Sequence, residues 1–391
     1  MKYYIISGEA SGDLHGSNLI KAIKQIDPNA NIRVWGGDMM HNAGAELVKH
    51  YRDLAFMGFW EVLRHLPTII RNLRFCKTDI VQFAPDVLVL IDYPGFNLRI
   101  ASFAHKAGLR VIYYISPQVW AWKASRVAQM RRDIDQLLLI LPFEKDFFAK
   151  HGWTEGISFV GHPLLDVFDP AISNRQSIDI GAIERENKAE THNDQNEQHN
   201  LPIIALLPGS REQEVRRMLP EMLQIVPHFE GRYSFVVAGA PALSPNVYEP
   251  LLANYTQLVG IVFGKTYQLL AQSSAAIVTS GTATLETALC GVPQVVCYKG
   301  NTISYQIAKR LVKVRYISLV NLILDAPALT ELVQNQLKPD NLRQALENIL
   351  PKGKKHAETL QHYAELRQKL GGKGASAKAA TIIVNAAKLK C

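Results

Sequence analysis

The 391-residue sequence has few cysteines and no long apolar run. Cys76, Cys290, Cys297 and Cys391 are scattered and lack C-x-x-C spacing, which predicts reduced thiols in the cytoplasm instead of a disulfide scaffold or a zinc site. No run approaches the ~18 apolar residues of a spanning helix. The first 30 residues lack the basic and apolar regions of a signal peptide. These absences predict a cytoplasmic protein.

Several nucleotide and hydrolase motifs are also missing. There is no G-x-G-x-x-G and no G-x-x-x-x-G-K-[ST], so neither a dinucleotide fingerprint nor a P-loop is supported. The lack of G-x-S-x-G removes the simplest serine-hydrolase interpretation. Lys and Arg outnumber Asp and Glu by 43 − 35 = 8, but no basic block occurs. This balance favours a phosphorylated ligand or an acidic membrane surface and disfavours nucleic acid.

Apolar runs rich in β-branched residues alternate with helical patterns and recur after Pro202. Such runs, bounded by Pro, Gly or Asp, are typical of parallel strands buried on both faces. We predict an α/β protein with two Rossmann-like, doubly wound domains that face each other across a cleft. The expected limits are a first domain at 1–168, a polar linker at 169–200, a second, nucleotide-type domain at 201–350, and C-terminal helices at 351–391 that return to the first domain.

The first strand, KYYII, enters a glycine-bearing segment, SGEASGDLHG. The pattern predicts a loop that contains Gly8 and Gly12, followed by a helix that contains Gly16. Because Glu9 and Asp13 would repel a pyrophosphate, we expect this loop to contact a ligand rich in hydroxyl groups.

Two glycine turns of the second half have the features of a nucleotide site. LPGSREQE (207–214) places Gly209, Ser210 and Arg211 between a strand and a helix, and an arginine beside free amides suits a diphosphate. TSGTATLE (279–286) begins a helix with hydroxyls and bare amides, and adds an acid that suits a ribose; its candidates are Ser280, Gly281, Thr282, Thr284 and Glu286. An ordinary turn with a solvated arginine, and plain helix capping, are the alternatives.

Asp92 ends the run PDVLVLID, where an acid projects from the carboxyl end of a strand and can act as a general base. The alternative is a helix cap. SPQVWAWKASR (116–126) combines aromatic faces with cations, which suits a ligand that is part apolar and part phosphate; its candidates are Trp120, Trp122, Lys123 and Arg126. Core packing of the two tryptophans is the alternative.

The stretch 56–77 has apolar residues at helical spacing with basic residues between them. Its large aromatics, Phe59 and Trp60 among them, favour a helix that lies on an anionic bilayer, although core packing explains the spacing equally well. Asp133 and Asp135 form an Asp-x-Asp, but they precede a strand instead of following one. We therefore expect no metal site.

Eight stretches in order give the chain a resemblance to a known family: SGEASGD, IDYPGFN, SPQVWAWK, LPFEK, GHPLLD, LPGSR, SGTATLE and KRLVKVRYISLVNL. Together they resemble the lipid A disaccharide synthases, which are inverting glycosyltransferases of the two-domain GT-B type. The resemblance runs from residue 3 to about 325. Many members have an acid where Gly95 stands and a proline where Val320 stands, so no role is carried over to these positions.

The resemblance implies transfer of 2,3-diacylglucosamine from UDP-2,3-diacylglucosamine to the 6-hydroxyl of 2,3-diacylglucosamine 1-phosphate, with release of UDP. It implies that 1–168 is an acceptor and membrane-associating domain and that 201–350 is a UDP-sugar-binding domain. It also implies work on the cytoplasmic face of the inner membrane of Gram-negative bacteria, without a cofactor or metal. A homodimer stays open. It matches Asp92 to the general base, Glu9, Ser11 and Asp13 to a loop that addresses sugar hydroxyls, and Arg211 and 280–286 to UDP. Asn321 matches another residue implicated in activity.

Two other functions stay open from the residues. A UDP-sugar 2-epimerase shares the two-domain shape and the UDP site but needs no acyl-binding surface. A non-catalytic, membrane-peripheral lipid-binding protein needs no second nucleotide-type domain.

Overall fold

The structure, a computed structural model, describes residues 1–53, 66–167, 201–300 and 315–389, except the side chains of Leu66 and Trp122. The chain divides into two compact units, Met1–Asp166 with Leu370–Cys391, and Val167–Lys369. The predicted linker at 169–200 lies outside the described residues.

The first unit is built on a seven-stranded parallel sheet in the order β3-β2-β1-β4-β5-β6-β7. Central strands are short, apolar and buried, because helices cover both faces of the sheet. The strands are β1 (Lys2–Ser7), β2 (Asn31–Gly36), β3 (Glu46–His50), β4 (Val87–Ile91), β5 (Val111–Tyr114), β6 (Gln136–Leu139) and β7 (Ile157–Phe159).

Helices follow the strands of this sheet as crossovers. They are α1 (Ala10–Ile26), α2 (Asp38–Asn42), α3 (Leu66–Phe83), α4 (Pro94–Lys106), α5 (Val119–Trp122), α6 (Val127–Asp133), α7 (Glu144–Lys150) and α8 (Leu164–Val167). On one sheet face Tyr4, Ile6, Leu88 and Leu90 form a core with helix residues such as Cys76.

The second unit has a six-stranded parallel sheet in the order β10-β9-β8-β11-β12-β13. Its strands are β8 (Ile203–Leu207), β9 (Ser234–Gly239), β10 (Val259–Phe263), β11 (Ser273–Thr279), β12 (Gln294–Tyr298) and β13 (Thr330–Val333). Its helices are α9 (Glu212–Leu223), α10 (Glu249–Leu252), α11 (Thr266–Gln272), α12 (Thr282–Leu289), α13 (Leu319–Leu324), α14 (Pro339–Ile349) and α15 (His356–Leu370). Two doubly wound parallel sheets confirm the predicted fold class.

The tail divides between the units. Helix α16 (Ala375–Lys388) packs along α1 of the first unit, and its first amides are capped by the carboxylate of Asp166. Helix α15 packs on the second unit, where Tyr363 donates to the carbonyl of Val292 and Arg367 to that of Leu289.

Candidate functional site

Glu9 and Asp92 follow neighbouring strands of the first sheet. Ser7 of β1 pairs in parallel register with Ile91 of β4, so the two acids lie at the same edge of the sheet. At this point the strand order reverses, because β2 lies on one side of β1 and β4 on the other. Ligands of open α/β sheets bind at such switch points.

The backbone around Asp92 is held in an unusual conformation. Asp92 and Tyr93 have φ angles of 43° and 50°, in the left-handed region that costs about 1 kcal/mol or more per non-glycine residue. Asn97 Nδ2 donates to the carbonyls of Ile91 at 3.1 Å and of Asp92 at 2.8 Å, and the Tyr113 hydroxyl donates to the same Asp92 carbonyl. Helix α4 has Tyr93 at its N-cap, so Asp92 stands one residue before the capping position.

The electrostatics of this edge suit proton transfer. Burial and, after it, the negative charge of Glu9 together raise the pKa of the Asp92 carboxyl to about 7, against one stabilising backbone N–H from Tyr93. A general base works best when its pKa lies near the ambient pH. Asp92 therefore has the environment of a poised base.

The first glycine segment differs from its prediction. Helix α1 already begins at Ala10, so Gly12 lies in its first turns, and the predicted loop is wrong beyond Glu9. The glycines serve close packing. A Cβ on Gly12 would stand 2.9 Å from Ser7 Oγ, and one on Gly8 would stand 2.3 Å from the Tyr93 ring.

The carboxylate of Asp13 is engaged inside the first unit. Its Oδ1 accepts the backbone N–H groups of Gly37 at 2.8 Å and Met40 at 3.0 Å, and its Oδ2 accepts that of Met39 at 3.1 Å. Asp13 is only 3 % exposed. It therefore caps the start of α2, whereas Ser11 is exposed and Glu9 is half-buried.

Trp120 and a further acid, Glu144, follow the next two strands at the same edge. The Trp120 ring meets the Phe143 ring edge-to-face at 5.0 Å. Glu144 is 1 % exposed, its Oε2 accepts the Leu141 N–H at 3.0 Å, and burial raises its pKa to about 8. We missed Glu144 although LPFEK was noted. Its signal is weaker than that of Asp92, because a turn separates Glu144 from the buried strand β6.

The other candidates of the first unit are only partly described. Lys123 and Arg126 are half-buried beside α5. Phe59, Trp60 and the side chain of Trp122 lie outside the described residues.

In the second unit the turns after β8 and β11 lie side by side. Leu207 pairs with Val278 in parallel register, and β8 is again the strand at which the order reverses. Gly209 needs its left-handed φ of 124° in the first of these turns. The Ser210 N–H and the Arg211 guanidinium both donate to Glu214, at 3.1 and 3.0 Å. Because they meet at one carboxylate, these donors can hold an anion together.

The second turn leads into α12, whose N-cap is Gly281. Ser280 Oγ donates to the carbonyl of Ile317 and Thr284 Oγ1 to that of Gly281, both at 2.8 Å. These two hydroxyls therefore act within the protein. Gly281 and Thr282 are exposed at the helix start, where backbone amides carry partial positive charge.

Glu286 is positioned by a residue that we did not predict. Tyr267 of α11 donates its hydroxyl to Glu286 Oε1 at 2.8 Å, and burial raises the pKa of the Glu286 carboxyl. Asn321 is 1 % exposed and lies in α13, which packs against α12. The structure thus brings Gly209, Ser210, Arg211, Ser280, Gly281, Thr282 and Thr284 to one edge of the second sheet.

Among residues 1–53, 66–167, 201–300 and 315–389, no group of three or more His, Cys, Asp or Glu side chains could hold a metal ion. Asp133 pairs with Arg132 at 2.7 Å, and Asp135 accepts the Val111 N–H at 2.7 Å. Both acids of the Asp-x-Asp therefore have structural partners.

The chain matches a family model described as lipid-A-disaccharide synthetase over residues 3–386. It is 34 % identical over 384 residues to the lipid-A-disaccharide synthase of Trichlorobacter lovleyi, covering 97 % of this chain and 96 % of that protein. It is 35 % identical over 388 residues to that of Syntrophus aciditrophicus, covering 98 % and 97 %.

A solved structure of the UDP-GlcNAc 2-epimerase from Neisseria meningitidis, bound to UDP-GlcNAc, shares the fold with a TM-score of 0.64. It is 12 % identical and covers 98 % of this chain and 100 % of that one, so this likeness concerns the fold alone. The family match and the identity to the two synthases show that the chain belongs to the lipid-A-disaccharide synthase family, a family of glycosyltransferases.

Proposed function

We propose that the chain transfers 2,3-diacylglucosamine from UDP-2,3-diacylglucosamine to the 6-hydroxyl of 2,3-diacylglucosamine 1-phosphate, with Asp92 as the general base. The observation that carries the proposal is the Asp92 carboxyl, which has a pKa of about 7 and a fixed left-handed turn at the switch point of the first sheet. Family membership supplies the reaction class.

The reaction is a single displacement. The carboxylate of Asp92 takes the proton of the acceptor 6-hydroxyl while that oxygen attacks the anomeric carbon of the donor sugar. The bond from this carbon to the UDP oxygen breaks, and UDP leaves with the bonding electron pair. Attack from the face opposite UDP inverts the anomeric centre, so the product is a β-1,6-linked disaccharide 1-phosphate.

The second unit supplies the groups that stabilise the leaving diphosphate. Arg211 and the Ser210 N–H donate to one carboxylate at present, and the amides of Gly281 and Thr282 open the eight-residue helix α12. Fixed donors of this kind stabilise charge that develops in a transition state. Glu286, held by Tyr267, accepts hydrogen bonds from the hydroxyl groups of the ribose.

The experiment is a UDP-release assay with both acylated sugars. Asp92→Asn retains UDP binding and loses turnover by about 10² or more, within the range for removing a general base. Asp146→Asn, at an exposed site on α7, is the matched control and retains activity. Wild-type turnover in Asp92→Asn would remove Asp92 from this role.

The same assay separates the other two functions. A UDP-sugar 2-epimerase would convert the donor without the acceptor, and a lipid-binding protein would release no UDP. UDP release that depends on the acceptor, with formation of the disaccharide, supports the transferase alone.

Helix α3 supports the second part of the proposal, attachment to an anionic membrane surface. Cys76 and Ile80 are buried in the core, whereas Ile70 and Phe75 are 42 % and 48 % exposed. Ile70 lines one surface depression together with Pro67, Arg71 and Arg74. The exposed Ile70, with Arg71 and Arg74 beside it, suits a surface of anionic lipid headgroups. Among the described residues, no helix combines the length and apolar character needed to cross a bilayer.

Membrane attachment is tested with vesicles of anionic or zwitterionic lipid. Ile70→Ser, and Phe59→Ser with Trp60→Ser, reduce sedimentation with anionic vesicles, and Leu360→Ser, an exposed leucine of α15, does not. Equal sedimentation of all variants would overturn the proposal.

The homodimer that the sequence left open is a separate question. Light scattering of the protein in solution tests whether the chain forms one.

A further inference from the structure

We propose that Glu331 is a positioning residue of the donor site, which orders the turn that opens α12 through a short chain of hydrogen bonds. The inference rests on the proposed function, because it takes this turn as the place where the UDP diphosphate binds. Glu331 lies on β13, an edge strand, and no motif of the sequence analysis includes it.

The carboxylate of Glu331 accepts four hydrogen bonds. Its Oε2 accepts the Ile317 N–H at 3.0 Å. Its Oε1 accepts the Ser318 N–H at 2.9 Å, the Ser318 hydroxyl at 2.8 Å and the Asn321 amide Nδ2 at 2.9 Å. All four donors belong to the segment 317–321, so one side chain holds the backbone that leads into α13.

The segment 317–321 contacts the turn that opens α12 directly. Ile317, whose N–H is held by Glu331, receives the Ser280 hydroxyl on its carbonyl at 2.8 Å. The backbone N–H of Ser280 donates to the carbonyl of Cys297 at 3.0 Å. Ser280 is thus fixed at two points, one on the sheet and one on the segment that Glu331 holds. It immediately precedes Gly281 and the exposed amides of α12.

This network gives Asn321 a role that needs no contact with substrate. Its Nδ2 donates to the carbonyl of Leu329 at 3.0 Å and to Glu331, and its Oδ1 accepts the Leu329 N–H at 2.8 Å. Every polar atom of the side-chain amide has a partner within the second unit. Asn321 therefore acts on the donor site through Glu331, as a second positioning residue.

A carboxylate is required because all its partners are donors. A glutamine at this position would turn an N–H₂ group toward either Ile317 N–H or the three donors at Oε1, and those buried donors would lose their acceptor. Ser318 and Asn321 are 0 % and 1 % exposed, so water replaces the acceptor poorly. The segment would shift, and Ser280 would lose the ordered carbonyl of Ile317.

The test measures UDP binding by calorimetry together with kcat and KM. Glu331→Gln raises the Kd for UDP and the KM for the UDP-sugar by about tenfold or more, in the range expected for loss of a hydrogen bond to a charged group. The KM for the acceptor stays unchanged. Glu347→Gln, an exposed glutamate on α14, is the control and binds UDP as the wild type does. An unchanged Kd for UDP in a folded Glu331→Gln protein overturns the inference.

Two milder variants keep the test decisive if Glu331→Gln fails to fold. Ser318→Ala removes the hydroxyl contact with Glu331 and the cap that the same oxygen gives the Asn321 N–H, but it leaves the other three donors on Glu331. It weakens UDP binding less, in the same direction. Ser280→Ala cuts the chain at its other end and weakens UDP binding as well. Because all act on one path, Ser318→Ala combined with Ser280→Ala weakens binding by less than the product of the two effects. Full multiplicativity would contradict a shared path.

Arg211→Ala separates this inference from the proposed function. If Arg211→Ala leaves the Kd for UDP unchanged, the proposed donor site itself is wrong. If Arg211→Ala weakens binding and Glu331→Gln does not, only the positioning role of Glu331 is overturned.

Discussion

The hydroxyl of Tyr267 donates a hydrogen bond of 2.8 Å to Glu286 Oε1, nineteen residues further along the chain. The two side chains come from α11 and α12, and the bond opposes the effect of burial on the Glu286 pKa, which burial raises and the tyrosine lowers. One carboxylate oxygen is committed to the phenol. The tyrosine thus fixes the direction of the acid that we propose for the ribose.

Replacing this tyrosine tests the arrangement. In Tyr267→Phe the pKa of Glu286 rises further, because the hydrogen bond that opposed the effect of burial is lost and the ionised acceptor is less stable. We expect the Kd for UDP to rise about tenfold or more, the range for a lost hydrogen bond to a charged group, and to recover as the pH is raised over the range in which the protein is folded. Calorimetry across this range measures both effects.

Tyr233→Phe is the control for this prediction, since Tyr233 packs against Phe229 in the same unit. Equal Kd values and equal pH slopes in the wild type and Tyr267→Phe would show that Tyr267 does not orient Glu286 for binding.

The central strands were predictable because they are apolar and bounded by Pro, Gly or Asp. Three strands have no such apolar run: β3, β7 and β13, each at an edge of its sheet. An edge strand has one neighbour and partial exposure, as in the sequence ELVKH of β3, so no continuous apolar run marks it. Periodicity reports burial, and burial is weakest at the edges.

The candidate site was likewise predictable only in part. Strand ends and glycine turns placed Asp92, Arg211 and Gly281 at the switch points, because the topology of parallel sheets dictates where strand ends meet. Partners distant in sequence gave no signal. The pairing of Asp13 with the start of α2, and of Glu331 with the segment before Asn321, depends on tertiary packing that no local spacing encodes.

A change in pH dependence tests the coupling between Glu9 and Asp92. The charge of Glu9 raises the pKa of Asp92, so Glu9→Gln lowers it. Since Asp92 acts in its ionised form, kcat/KM of the wild type rises with pH through about 7, and the variant rises at lower pH. The measurement is the pH at the midpoint of the acid limb of kcat/KM, which can be compared even if the variant has a lower maximal rate.

Glu155→Gln, an exposed glutamate of the same unit, leaves the midpoint in place. An acid limb at the same pH in Glu9→Gln and the wild type would mean that these two acids are not coupled during turnover.

Asp13 provides a test of structural against catalytic roles. In Asp13→Ala three backbone N–H groups at the start of α2 lose their acceptor. We expect the free energy of unfolding to fall by about 2 kcal/mol or more, since buried donors left without a partner each cost about 1–3 kcal/mol. Urea denaturation measures the change, with the exposed Asp146→Ala as the control. A variant as stable as the wild type but inactive would return Asp13 to the sugar-contacting role.

Two buried histidines predict how the stability of the first unit depends on pH. Burial lowers the pKa of His15 to about 4 and that of His162 to about 3, because an imidazolium must lose its hydration there. The negative charge of Asp166 opposes both shifts. The carboxylate of Asp166 accepts the first amides of α16, so it is already engaged. Unfolding releases both rings to water, where their pKa is about 6.5.

The unfolded state therefore binds more protons below pH 6.5, and stability is complete above that value and falls as the pH decreases toward 4. Each histidine contributes a slope of about 1.4 kcal/mol per pH unit across this window. His15→Gln removes one titrating ring, so its unfolding free energy, measured in urea at pH 7.5 and 5.0, decreases less than that of the wild type. His151→Gln, at an exposed site of the same unit, is the control and retains the wild-type slope. Equal decreases in His15→Gln and the wild type would mean that His15 is already protonated in the folded protein.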